Sequence, residues 1–149
     1  MIKRVDYEED ILINECDKLL SNLIIEDSKY DNNYNVNFKL NSFKEDLKNI
    51  NNYLYVYLDN NEIVGFIFGK VISSKKYKNN IGKVLFLYVS EKYRNKKVGT
   101  KLMNEIKNIF SENGVKYIEL NVFKDNKKAN NFYKKLSFYN YVETLRCNL

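Results

Sequence analysis

Hydrophobic positions along the chain change their period several times, and each change marks an element. Residues 1–5 read as a short opening strand. From near Tyr7, apolar side chains at Ile11, Leu12, Cys16, Leu19, Leu20 and Leu23 recur at a spacing close to 3.6, which predicts an amphipathic helix. Residues 26–39 have no clean period and mix acidic, asparagine and aromatic side chains. They read as a loop or a second short helix, the kind of connection that lines substrate sites. Ser42 has the character of a helix cap and Glu45 completes a capping box, so a short helix carrying Leu47 and Ile50 is expected behind it. Residues 53–58 then run as a strand, residues 59–62 turn, and residues 63–68 return as a hairpin partner. Gly65 in the returning strand predicts a bulge or a close approach of backbone.

The second half is more sharply drawn. After a polar linker over residues 75–80 and Gly82, residues 84–89 form a strongly apolar strand. A basic turn over residues 90–97 leads into a helix from about Val98 to Phe110. Val98, Leu102, Ile106 and Ile109 form its stripe, with Met103 and Phe110 beside it. Asn113 and Gly114 supply a left-handed cap. A strand over residues 117–122 would lie parallel and adjacent to the first through a right-handed crossover. A short helix over residues 127–136 should bury Ala129, Phe132, Tyr133 and Leu136. Residues 138–147, rich in aromatic and β-branched side chains, read as a final strand. The class is α/β, with a mixed sheet of about six or seven strands.

The 149 residues suit one domain spanning 1–149, and 44% hydrophobic content marks a folding sequence. Two cysteines, Cys16 and Cys147, make no CxxC pair. With no leader-like or long apolar segment, a cytoplasmic location and reduced thiols are expected. Cys16 falls in the apolar stripe of the first helix, which assigns it to the core. Histidine is absent. That excludes Ser-His and Cys-His nucleophilic centres and histidine-bound zinc, so no metal site is expected and acid–base work falls to Tyr, Glu, Asp, Lys or Cys.

The formal charge of +6 raises the question of an anionic partner. Arg94, Lys96, Lys97 and Lys101 cluster at a helix start, where small residues, Gly99 and Thr100, leave the first-turn amides open. Such amides and the helix dipole favour a phosphate. A solvated basic loop with an ordinary cap fits the same residues. The spacing is neither GxxxxGK[ST] nor GxGxxG.

The segment YVSEKYRNKKVGTKLMNEI, residues 88–106, resembles the central motif of the GNAT superfamily of N-acetyltransferases, in which an Arg/Gln-x-x-Gly-x-Gly/Ala turn wraps the pyrophosphate of coenzyme A. A second family pattern matches Asn126 and the run from Ala129 to Phe138, ANNFYKKLSF. Lys97 stands where the first family glycine is usual, and Ser137 replaces the glycine before Phe138.

The resemblance implies a GNAT-like acyl-CoA N-acyltransferase fold, a mixed sheet flanked by about four helices. It also implies acetyl-CoA as acetyl donor, moved to a primary amine in a ternary complex. Arg94, Asn95, Lys96, Lys97, Val98, Gly99 and Thr100 would give mainly backbone amides to the diphosphate. The backbone of Leu87, Tyr88 and Val89 would pair with the pantetheine arm, Asn126 would bond the arm or the phosphate end, and Phe132 would pack beside it. Tyr133 would protonate the departing thiolate, and a backbone amide near Tyr88 or Val89 would hold the oxyanion. The glutamate that many relatives carry on the central strand is missing, since Leu85 and Phe86 occupy its place. Glu119, or an acidic group among Glu26, Asp27 and Asp31, is the candidate for orienting water or amine, and that acidic group also favours a cationic acceptor. A non-catalytic acyl-CoA-binding or regulatory domain is the alternative, ahead of a basic nucleic-acid-binding module. No membrane partner is implied, and a monomer or homodimer fits equally.

Overall fold

The computed structural model describes residues 1–37 and 41–149. The end of the aperiodic 26–39 segment, residues 38 and 39, lies outside them. Five strands form one mixed sheet in the order β1-β2-β3-β4-β5. β1 (Ile2–Arg4), β2 (Asn52–Asp59), β3 (Glu62–Ile72) and β4 (Ile81–Val89) pair antiparallel in succession, and β5 (Tyr117–Glu119) joins β4 in parallel. The β2–β3 turn places Asn60 and Asn61 at φ 48° and 64°. A two-residue hairpin loop needs two left-handed residues to match strand twist, and asparagine tolerates that conformation better than most.

Helices cover both faces. α1 (Asp10–Ser28) and α2 (Phe43–Asp46) pack on one; α3 (Val98–Glu112) packs on the other, and α4 (Lys127–Lys135) follows β5. On the α1 face Ile13, Cys16, Leu20 and Ile24 meet Leu54, Val56, Phe66 and Phe68 around a fully buried Phe43. Burying a phenylalanine of this kind contributes about 2–3 kcal/mol. The ring of Phe43 lies 4.9 Å from that of Phe68. α2 is short, so its position depends on its start. The Asp17 carboxylate accepts from Ser42 Oγ at 2.6 Å and from the Phe43 amide at 3.0 Å, while Ser42 Oγ accepts from the Lys44 amide at 3.2 Å. Glu45 does not close the capping box; it pairs with Lys48 instead.

On the other face α3 buries Val98, Leu102, Met103, Ile106 and Phe110. Glycines let it come this close: a Cβ at Gly82 would lie 2.3 Å from the Phe110 ring, and one at Gly65 would lie 3.3 Å from Val98 Cγ1. Gly114, at φ 72°, ends α3 with the paired bonds from its own amide to Ser111 and from the Val115 amide to Phe110.

Several expectations need correction. α1 starts at Asp10 rather than near Tyr7, and Ile11 is 77% exposed. The buried stripe is one step out of phase with the expected one, because Ile13 and Ile24 face the sheet while Leu12, Leu19 and Leu23 flank it. Ile50 lies beyond the end of α2 and is 82% exposed. β5 stops at Glu119, short of residue 122. Ala129, Phe132, Tyr133 and Leu136 are only part-buried, since α4 covers the outer part of the α3 face. Residues 139–149 form no strand; their side chains are exposed, which accounts for five strands among the described residues where six or seven were expected.

Candidate functional site

The site begins where β4 and β5 separate. They pair only at Ile81–Tyr117, Gly82–Ile118 and Lys83–Glu119, whereas β4 stays paired with β3 as far as Val89. The β3–β4 register skips Leu85, a bulge just beyond the last β5 contact. A bulge bends its strand and re-aims the residues beyond it, so past Leu85 the β5-facing edge of β4 has no strand partner. Leu85 is 37% exposed in the middle of a sheet for this reason. Along the freed stretch the side chains alternate: Phe86 and Tyr88 enter the α1-side core, and Leu87 and Val89 the α3-side core. The backbone of Leu87, Tyr88 and Val89 is thus the wall of an open cleft.

At the end of β4 a 3-10 turn, Glu91–Tyr93, delivers the chain to α3. The Arg94 amide donates to the Glu91 carbonyl at 3.1 Å, so that amide is used locally and is not a free donor. The amides of Asn95, Lys96, Lys97, Val98, Gly99 and Thr100 find no acceptor among the described residues. Asn95 and Lys97 both have φ 62°, and left-handed residues in such a turn face successive amides the same way. α3 has no side-chain cap and no acidic residue in its first turn, so nothing in the chain answers the positive end of its dipole. A row of unanswered donors backed by exposed lysines suits a diphosphate.

Arg94 has a role that no local sequence signal marks. Its Nε donates to the Val89 carbonyl at 2.8 Å and its Nη2 to Glu26 of α1 at 2.7 Å. The guanidinium also lies over the Tyr88 ring, 5.7 Å from its centroid. It therefore braces the turn against the end of β4 and the end of α1.

α4 closes the cleft from the far side. Asn126 caps it, its Oδ1 accepting from the Ala129 amide at 3.1 Å, which leaves Nδ2 for other contacts. Phe132 rests on the start of α3, where a Cβ at Gly99 would come within 3.2 Å of its Cζ. Its ring meets Tyr133 at 5.2 Å, and Tyr133 meets Phe138 at 5.7 Å, both edge-on. The Tyr133 hydroxyl has no hydrogen-bond partner among the described residues. Burial first, and then the charge of Asp27, pushes its pKa up to about 12, so it is a proton donor throughout the neutral range.

Of the remaining candidates, Glu119 is the register partner of Lys83 in the paired stretch, before the cleft opens. Glu26 and Asp31 are both engaged by arginines, while Asp27 is half-buried and has no such partner. Among the described residues no group of histidine, cysteine, aspartate or glutamate side chains is placed to hold a metal. No described helix is long and apolar enough to cross a membrane.

Residues 20–138 match the acetyltransferase (GNAT) family. Solved structures of the same fold include the tetramutant of the BH1408 protein from Bacillus halodurans, 19% identical, with a TM-score of 0.88 over 100% of this chain and 99% of that one. An aminoglycoside acetyltransferase from an uncultured soil metagenomic sample, solved with trehalose, is 18% identical, with a TM-score of 0.81 over 100% and 95%. The aminoglycoside N-acetyltransferase AAC(6')-Iy, solved with CoA, is 11% identical, with a TM-score of 0.73 over 100% of both chains. No curated protein matches the chain in sequence.

Proposed function

The chain belongs to the acetyltransferase (GNAT) family, and from that membership we propose that it moves an acetyl group from acetyl-CoA to a primary amine by direct attack in a ternary complex. The observation that carries this reading is the row of unanswered amides from Asn95 to Thr100 at the mouth of the parted strands. The diphosphate would lie on those amides, with Lys96, Lys97 and Lys101 around it. The arm would follow the β4 edge at Leu87, Tyr88 and Val89 and pass Asn126 and Phe132, bringing the thioester to Tyr133. That AAC(6')-Iy, which shares the fold, is solved with CoA supports a CoA thioester as the ligand.

Two tasks then fall to the chain. A backbone amide near Tyr88 or Val89 stabilises the oxyanion as the amine attacks. Tyr133 gives its proton to the departing thiolate, a role that suits a hydroxyl held neutral by burial. The sulfur leaves as the thiol, the acetyl group stays on nitrogen, and the proton that nitrogen sheds passes through solvent to restore the Tyr133 hydroxyl. Cys16 is buried in the α1 core with its thiol pKa pushed up to about 12, which argues against an acetyl-enzyme on that residue and supports direct transfer.

Calorimetric titration with CoA is the test. One site per chain with a dissociation constant in the micromolar range is expected, weakened by added salt because lysines surround the anion. Folded protein with no affinity for CoA would overturn the reading.

A further inference from the structure

α1 turns Ile13, Cys16, Leu20 and Ile24 toward the sheet. The next position on that face, one turn beyond Ile24, is Asp27. A carboxylate thus ends an apolar stripe, at the end of α1 that Arg94 ties to the basic turn. Its acidic neighbours are engaged: Glu26 accepts from Arg94 at 2.7 Å, and Asp31 takes both terminal nitrogens of Arg146 at 2.7 and 2.9 Å. Asp27 accepts no hydrogen bond through its side chain among the described residues although it is half-buried. Burial, followed by the charge of Glu26, raises its pKa, with the nearby charge of Lys29 only partly opposing the shift.

Across the cleft the Tyr133 hydroxyl also lacks a partner, and the charge of Asp27 is close enough to raise its pKa. The two groups come from elements on opposite faces of the sheet, and both elements reach the place where β4 and β5 have parted: Arg94 ties the end of α1 to the Val89 carbonyl, and Phe132, next to Tyr133 on α4, rests on Gly99. Neither group is sealed from solvent, so both are open to a ligand that would exchange water for a direct hydrogen bond.

We infer that Asp27 captures the acceptor as its ammonium beside Tyr133, the nitrogen attacking once it has released a proton to solvent, so the acceptor is a cationic amine with no carboxylate next to its nitrogen. This rests on the transferase reading above and deepens it. Asp27 is the specificity-determining residue for the amine, acting on its capture and not on the acetyl donor. A polyamine or an arylalkylamine meets the requirement; a zwitterionic α-amino acid brings a second negative charge to the same place and does not.

The test uses spermidine, benzylamine and glycine, with thiol release as the assay. Spermidine and benzylamine are expected to be acetylated and glycine not. In Asp27→Asn the KM for spermidine should rise about tenfold or more, the scale of a lost charge-assisted hydrogen bond, with kcat changed less than about threefold. Asp27→Glu should recover part of the loss. CoA titration into Asp27→Asn should match the wild type and verifies that the variant is folded. An unchanged KM in Asp27→Asn, or glycine turned over as well as spermidine, overturns the inference. A wild-type CoA complex that neither acetylates nor binds spermidine or benzylamine overturns it too. Absence of CoA binding is a separate result, and it removes the transferase reading itself.

Discussion

Phe132 of α4 lies against Gly99 in the first turn of α3 so closely that a methyl group on Gly99 would meet the ring at 3.2 Å. The family position that keeps the amides open is here also a seat for the aromatic side chain that lines the cleft. In Gly99→Ala the ring must retreat by a few tenths of an ångström, while alanine in a helix offsets the strain by up to about 1 kcal/mol. Thermal stability should therefore stay within a few degrees of wild type, and CoA affinity should fall severalfold. Gly99→Val, with a branched Cβ, should weaken CoA further. Scanning calorimetry and CoA titration on the pair check this; unchanged affinity in both would dissociate Phe132 from the donor.

Lys97 and Ser137 depart from the glycines usual in the family, and both have positive φ, 62° and 69°. Lys97 takes the left-handed turn before α3. Ser137 ends α4 in a Schellman motif, with its own amide on the Lys134 carbonyl and the Phe138 amide on that of Tyr133, both at 3.0 Å. A side chain in this conformation costs about 1–2 kcal/mol, less the unfolded-state freedom that glycine adds. Lys97→Gly and Ser137→Gly should each gain a net ~0.5–1 kcal/mol, or about 2–4 °C in Tm. Thermal melts of the two variants decide it, and a drop in Tm for both would contradict the strain argument.

Tyr133→Phe should lower kcat by roughly 10²–10⁴, the usual worth of a positioned acid, and leave the CoA dissociation constant near wild type. It should also change alkaline stability, and the sign follows from the raised pKa. Below pH 10 the hydroxyl is protonated in folded and unfolded chains alike. Above it the unfolded chain ionises first, while folded Tyr133 holds its proton to about 12. Stability therefore drains away as pH rises across that window, by about 1.4 kcal/mol per unit. Cys16, pushed up to about 12 by burial, adds a similar loss that starts one unit earlier. The phenylalanine variant should reach its alkaline unfolding midpoint at higher pH than wild type. Stopped-flow turnover and pH titration of ellipticity measure the two effects independently.

Elements whose stability is local are readable from the chain alone. The β2–β3 hairpin has its asparagine turn and apolar strands, and α3 has a stripe, a glycine cap and little competition from other patterns. Terms that depend on partners are not. Residues 138–147 have the composition of a strand, but composition does not supply the neighbour that a ladder requires, and β5 is too short to offer one. The phase of α1 is ambiguous in the sequence because leucines and isoleucines occupy several adjacent positions, so more than one 3.6-residue stripe fits; the sheet selects Ile13 and Ile24. The basic turn and the short helix with Tyr133 carry their own motif. The bracing of Arg94 by Glu26, separated by 68 positions, has no local sign. Asp27 does have one, since continuing the true stripe of α1 by one turn arrives at an aspartate.

The unzipping of β4 from β5 beyond Lys83 has a consequence for handling the protein. An open strand edge flanked by apolar side chains is a template for any other extended chain, including a neighbouring molecule's. The ligand-free protein should therefore self-associate on storage at high concentration, and saturating CoA, by occupying the seam, should suppress the turbidity.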